Sequence, residues 1–128
     1  MTKMKLAQKV DEKQIIYLGI DVHKKQWSVC FVTDGEVLGI FTIPGKFAAL
    51  EKLMQRYEGS EFRSVYEAGF SGFHLHYKLE AIGVKNIVVS PQKIPVEVGN
   101  LVKTDKRDAK KLAYSLSKGL LRGDKHGK

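Results

Sequence analysis

A chain of 128 residues has the length of one domain, and at 43% hydrophobic residues it has enough apolar side chains for a real core. Lys and Arg outnumber Asp and Glu by 22 to 14, and +6 of the net +8 falls in residues 101–128, which suggests a polyanionic partner, most simply nucleic acid. A single cysteine, Cys30, excludes an internal disulfide and disfavours a cysteine-based metal site, as in a reducing cytosol. No apolar run approaches the ~20 residues that span a bilayer, and Met1 to Gln14 is mixed in charge and lacks the apolar core of a signal peptide.

The composition of residues 1–14 predicts a loosely ordered start. Ile15 to Asp21 then reads as a buried strand, with Ile16, Leu18 and Ile20 on one face and Tyr17, Gly19 and Asp21 on the other. A carboxylate at the tip of such a strand must be solvated, paired or bound to a cation, because leaving it dry and unpaired costs several kcal/mol or more. Trp27 to Thr33 alternates as a second strand. Asp34-Gly35 is a strong hairpin signal, and Glu36 to Ile43 is the returning strand.

Pro44-Gly45 ends this meander, and Phe47, Leu50, Leu53, Met54 and Tyr57 recur at helical spacing up to Gly59-Ser60. Phe62 to Ala68 reads as a strand carrying Glu67 near its end. Ser71 is placed to cap a helix with Leu75, Leu79 and Ile82 on one face and Gly83 at its stop. Asn86 to Pro91 is a fifth short strand, and the alternation of strand and helix implies parallel pairing through right-handed crossovers. Pro91 to Lys103 reads as a loop with at most one short helix. Thr104 to Lys118 is a helix with an apolar stripe of Ala109, Leu112, Ala113 and Leu116, stopped by Gly119.

Extending that stripe backwards by helical steps lands on Asp105 and Asp108, which turns both toward the sheet. With Asp21 and Glu67 each at a strand end, four carboxylates can converge at one sheet edge. Their mutual repulsion calls for divalent cations with oxygen ligands, Mg²⁺ or Mn²⁺. Two such ions about 3.5–4 Å apart can clamp the attacking and leaving oxygens of a phosphodiester. Local accounts exist for each acid: Asp105 as an N-cap with Asp108 favoured by the helix dipole, Asp21 and Glu67 as strand-end residues. The coincidence of all four, in the order strand, strand, helix, is what argues for a shared site.

Gly19-Ile20-Asp21-Val22-His23-Lys24, then Tyr66-Glu67-Ala68-Gly69 with Gly72, then Val102-Lys103-Thr104-Asp105-Lys106-Arg107-Asp108-Ala109 with Leu112-Ala113, resemble the successive motifs of the DEDD transposases. These are the IS110-type insertion-sequence transposases and the related Piv-like DNA invertases, and the resemblance covers roughly residues 15 to 119. It implies an α/β fold of the RuvC-like, ribonuclease H-like type, a mixed five-stranded sheet in order 3-2-1-4-5 with flanking helices. It also implies that Asp21, Glu67, Asp105 and Asp108 are a catalytic, Mg²⁺-binding tetrad for DNA strand cleavage and transfer. A structured guide RNA, a homo-oligomer of the full-length protein and a cytoplasmic prokaryotic setting, nucleoid-associated when active, come with it. Family members continue into a helical linker and a C-terminal domain carrying a serine thought to act as nucleophile, whereas this sequence stops at Lys128. The expected layout is therefore residues 1–14 as a flexible lead, 15–119 as the RuvC-like domain and 120–128 as a basic tail or the start of a linker.

Lys24, Lys103, Lys106, Arg107, Lys110 and Lys111 surround the acids and are candidates for contacting nucleic-acid phosphates, although a solvated helix face would look the same. His23 follows Asp21 closely enough to approach a phosphate. His74 and His76 point to different sides of their helix and read as structural, and Trp27, Phe31 and Phe41 as core. Three other readings compete: a sugar-kinase or actin-like ATPase, argued against by Val22-His23-Lys24-Lys25 where such proteins carry a phosphate-holding turn; a non-catalytic nucleic-acid-binding or assembly module; and a stand-alone junction resolvase with the same acids.

Overall fold

The computed structural model describes residues 14–69, 73–90 and 105–121, with the side chains of residues 105–108 excepted. Its elements are β1 (Ile15–Val22), β2 (Gln26–Thr33), β3 (Glu36–Pro44), α1 (Phe47–Met54) continued by a 3-10 turn (Gln55–Tyr57), β4 (Glu61–Glu67), α2 (His74–Ala81), β5 (Lys85–Val89) and α3 (Asp105–Ser117). The strands form one sheet in the order β3-β2-β1-β4-β5. β1, β2 and β3 pair antiparallel, while β4 runs parallel to both β1 and β5. This is the 3-2-1-4-5 mixed sheet that the motif resemblance implies.

Local chemistry accounts for most boundaries. Asp34 and Gly35 both take positive φ, 51° and 78°, the two-residue turn whose twist suits an antiparallel hairpin. Gly59, Gly83 and Gly119 close α1 with its 3-10 extension, α2 and α3 in the left-handed region. Ser71 lies outside the described residues, and the residue before α2 is Phe73, which makes no side-chain capping bond. Ile82 was expected on the apolar face of α2 but is 44% exposed. The helix ends at Ala81, so the helical spacing that would have carried Ile82 inward no longer applies.

Two layers of core follow from the period-2 alternation of the strands. Ile16, Leu18, Ile20, Val29, Phe31 and Tyr66 face α1 and α2, packing on Leu50, Leu75 and Leu79. Val65 and Val89, together with Cys30 and Val32, face α3 and pack on Ala109, Leu112 and Ala113. Each fully buried aliphatic side chain contributes about 1.5–3 kcal/mol relative to exposure. Trp27 and Phe31 are core residues, as their strand alternation predicts, with Phe41 half-buried beside them.

The α2 layer also holds a polar pin. Ser64 Oγ donates to Asn86 Oδ1 at 2.7 Å, Asn86 Nδ2 stands 2.9 Å from His76 Nδ1, and the His76 amide donates to Tyr66 Oη at 3.1 Å. Because Asn86 Nδ2 can only donate, Nδ1 is the acceptor, which leaves Nε2 as the protonated nitrogen of the neutral ring. His76 is therefore structural, as read from the sequence, and His74 is exposed. No helix among the described residues is long and apolar enough to cross a membrane.

Candidate functional site

Asp21 is the penultimate residue of β1 and is 9% exposed. Its strand neighbours explain its direction: Gly19 faces α3 and Ile20 faces the opposite core, so Asp21 shares the α3 face with Gly19. The parallel pairing of β1 with β4 runs to Ile20 opposite Tyr66, and one further step sets Asp21 level with Glu67. Glu67 pairs with Val89, which packs on the α3 side, and the next amide, that of Ala68, donates to the Val89 carbonyl at 2.7 Å. The two carboxylates thus leave neighbouring strands at one level, on one face and at the carboxyl edge of the parallel pair.

The position of α3 follows from Gly19. A Cβ at this residue would fall onto the carbonyl oxygen of Ala109 and the amide nitrogen of Ala113, so only glycine admits the helix this close to the strand. Direction is set further along the helix. Tyr114 Oη donates to the Gly35 carbonyl at 3.2 Å, at the hairpin turn, and Thr33 Oγ1 beside that turn donates to the Ile15 carbonyl at 2.7 Å. The C-terminal half of α3 therefore lies over the start of β1, and its first turn lies toward the end of β1. From Ala109 back to Asp105 is a rise of about 6 Å. From Gly19 on to Asp21 is about 6–7 Å in the same direction. Asp105 and Asp108 thus belong to the helical turn at the Asp21 edge, although their side chains lie outside those described.

His23 completes what is visible of this edge. Its Nε2 stands 3.1 Å from Asp21 Oδ2, and since a carboxylate only accepts, the hydrogen is on Nε2. The turn that presents it is closed by the His23 amide donating to the Gln26 carbonyl at 3.1 Å. The only sequence signal for this contact is the i, i+2 spacing of two polar residues at a strand end, which by itself is ordinary. Among the described residues no three His, Cys, Asp or Glu side chains gather in a group that could hold a metal ion.

Three of the six basic candidates have described side chains. Lys24 is exposed in the turn beside His23, Lys110 is exposed on α3, and Lys111 is half-buried there. Lys106 and Arg107 belong to the first turn of α3 with side chains outside those described, and Lys103 lies outside the described residues.

A five-stranded mixed sheet of this order with flanking helices is a RuvC-like, ribonuclease H-like fold. The family model for DEDD transposases of the IS110 type, described as transposase, matches residues 18–125, and the chain belongs to that family. It is 36% identical over 105 residues to the transposase for insertion sequence element IS1533 of Leptospira borgpetersenii, covering 79% of this chain and 30% of that protein. It is 32% identical over 111 residues to a Sinorhizobium fredii protein named as transposase y4qE, covering 82% of this chain and 28% of that one. The chain thus spans less than a third of the length of these relatives.

Proposed function

We propose that this chain is the metal-binding catalytic domain of a DNA transposase, with Asp21, Glu67, Asp105 and Asp108 as the carboxylates that hold Mg²⁺ or Mn²⁺. The observation that carries the reading is the level placement of Asp21 and Glu67 on one face, with the first turn of α3 drawn to the same edge by Gly19. The donor set fits the ion: carboxylate oxygens suit hard divalent cations, and Asp21 brings one to the edge of the sheet nearly buried. When bound, the cations would polarise a phosphodiester and stabilise the charge that develops on its oxygens.

The chain's own residues do the rest. Asp21 is held opposite Ser28 in the β2 ladder, one step beyond the last β4 pair at Ile20, and so presents its oxygens from a rigid strand, while His23 Nε2–H orients one of them. Glu67 is fixed by the β5 ladder, and the rigid α3 backbone carries Asp105 and Asp108. Lys24, Lys110 and Lys111, with Lys103, Lys106 and Arg107, would contact backbone phosphates and position the nucleic acid without reading its sequence. In the full-length protein the same domain would act with a structured guide RNA, within an oligomer, together with a further C-terminal domain.

The test is a Mg²⁺ and Mn²⁺ titration by calorimetry and thermal melting on the wild-type chain, Asp21→Asn and Asp105→Asn. A ligand that binds only the folded state raises its melting temperature. We expect saturable binding and a raised Tm in the wild type, both lost in each variant, with the variants folded at least as stably in metal-free buffer because carboxylate repulsion is relieved. Absence of metal binding in the wild type, with and without branched DNA, would overturn the metal assignment and leave a non-catalytic nucleic-acid-binding module.

A further inference from the structure

The level of the sheet that carries Asp21 and Glu67 holds a further polar group one strand away. In the β1–β2 ladder Asp21 lies directly opposite Ser28, and in the β2–β3 ladder Ser28 lies opposite Thr42. Directly opposed residues of an antiparallel pair send their side chains to one face, about 4.5–5.5 Å apart at Cβ. Strand alternation identifies that face: Trp27 and Val29 enter the core under α1 and α2, whereas Cys30 packs with Ala109 and Ala113 of α3. Ser28 therefore stands beside Asp21, on the α3 side and at the level of the first turn of that helix.

Its hydroxyl has no role in the fold. Ser28 is only 6% exposed, and buried hydroxyls are as a rule hydrogen-bonded, because drying an unbonded one is costly. The other buried polar side chains of the strands are matched: Thr33 donates to the Ile15 carbonyl, Ser64 to Asn86, and Asn86 to His76. Among the described residues Ser28 Oγ has no hydrogen-bond partner. β2 is paired on both sides, so the ladders occupy the backbone groups that a strand hydroxyl could otherwise use. Ser115, a second buried serine without a printed bond partner in the strands, sits on α3, where a hydroxyl can turn to the carbonyl one turn back.

We propose that Ser28 is a positioning residue of the carboxylate site, its hydroxyl bonding a water that the bound Mg²⁺ retains. The inference rests on the reading of Asp21 as a ligand of that ion and adds an uncharged contact to it. Mg²⁺ gives up its waters reluctantly and is commonly held through one or two carboxylates with several waters kept. Such a water turns its lone pair to the cation and has its hydrogens to donate, and Ser28 Oγ is an acceptor buried beside the carboxylate.

The test measures Mg²⁺ affinity by calorimetry, and the melting temperature in EDTA, on the full chain as wild type, Ser28→Ala, Ser28→Thr and Thr42→Ala. Groups that hold a metal's ligands in place typically change its affinity about 10–100-fold when lost. We expect Ser28→Ala to bind Mg²⁺ at least about 10-fold more weakly. Its metal-free Tm should stay at or above that of the wild type, since an unbonded buried hydroxyl has been removed. Ser28→Thr keeps the hydroxyl on a residue suited to strands and should recover most of the affinity. Thr42→Ala, at the same level but exposed, should bind as the wild type does. Unaltered Mg²⁺ affinity in Ser28→Ala would overturn the proposal and leave the carboxylate assignment standing. A loss of affinity accompanied by a lowered metal-free Tm would overturn it as well, making Ser28 a packing residue, as would a Ser28→Thr chain of wild-type Tm that fails to recover affinity. Absence of binding by the wild type, with and without branched DNA, would instead overturn the carboxylate reading itself and this proposal with it.

Discussion

Cys30 illustrates how one residue's surroundings set its chemistry. Its side chain is fully buried between β1, β3 and α3, and desolvation pushes the thiol up to about 11, with Lys110 opposing in part. At neutral pH it is protonated and inert, a small apolar core residue. An unfolded thiol loses its proton near ~8.5. The folded form therefore holds the proton to higher pH, and the stability that Cys30 contributes is complete below that value and lost as pH rises through about 11. Urea midpoints at pH 8 and pH 10.5 should fall further in the wild type than in Cys30→Ala, which lacks this titration. Alkylation of Cys30 should likewise require unfolding. Asp21 is a contrasting case, a nearly buried acidic residue at a sheet edge, beside a histidine and level with a second carboxylate.

At the scale of elements, the contact of β1 with α3 decides the site. Gly19→Ala would drive a methyl into backbone atoms of Ala109 and Ala113, which cannot rotate away, so the helix must shift. Overpacking typically costs 1–3 kcal/mol, and obstruction by backbone puts this substitution at about 3 kcal/mol. Gly39→Ala offers a comparison, because there the new methyl meets only the Phe41 ring. Denaturant melts of both should show the larger loss at Gly19. Mg²⁺ titration of Gly19→Ala under folded conditions should show weakened binding with all four acids intact, since the turn carrying Asp105 and Asp108 is displaced. Unaltered metal affinity would mean that the distance from α3 to β1 does not control the site.

For the whole molecule, basic side chains are described near the carboxylate edge: Lys24 in the β1–β2 turn and Lys110 on α3 are exposed, and Lys111 is half-buried. A domain that meets nucleic acid through lysines releases counterions, so affinity falls with salt in proportion to the phosphates contacted. Lys110→Gln with Lys111→Gln should weaken binding to duplexes of different sequence alike and lower the salt slope by about 2, measured by fluorescence anisotropy between 50 and 200 mM salt. A slope identical to that of the wild type would assign the binding face elsewhere.

Much of this was legible in the chain before any fold was considered. Alternation in Ile15–Ile20, the Asp34-Gly35 turn and the stripe of Ala109, Leu112 and Ala113 are local signals, and each corresponds to an observed element because backbone preference and burial agree there. The motifs around Asp21, Glu67 and Asp105 carried the family and the sheet order. The level placement of Asp21 and Glu67, the reversal of α3 over β1 through Gly19 and the Ser64–Asn86–His76 pin were not legible. They join residues 10 to 94 positions apart, from His76 and Asn86 to Gly19 and Ala113, and strand pairing and helix seating are fixed by packing of the whole sheet. Sequence alone determined which residues are candidates for chemistry and on which elements they lie. Only the tertiary structure decided which of them meet, because distance between elements depends on side chains, and here on one missing Cβ, that no local pattern encodes.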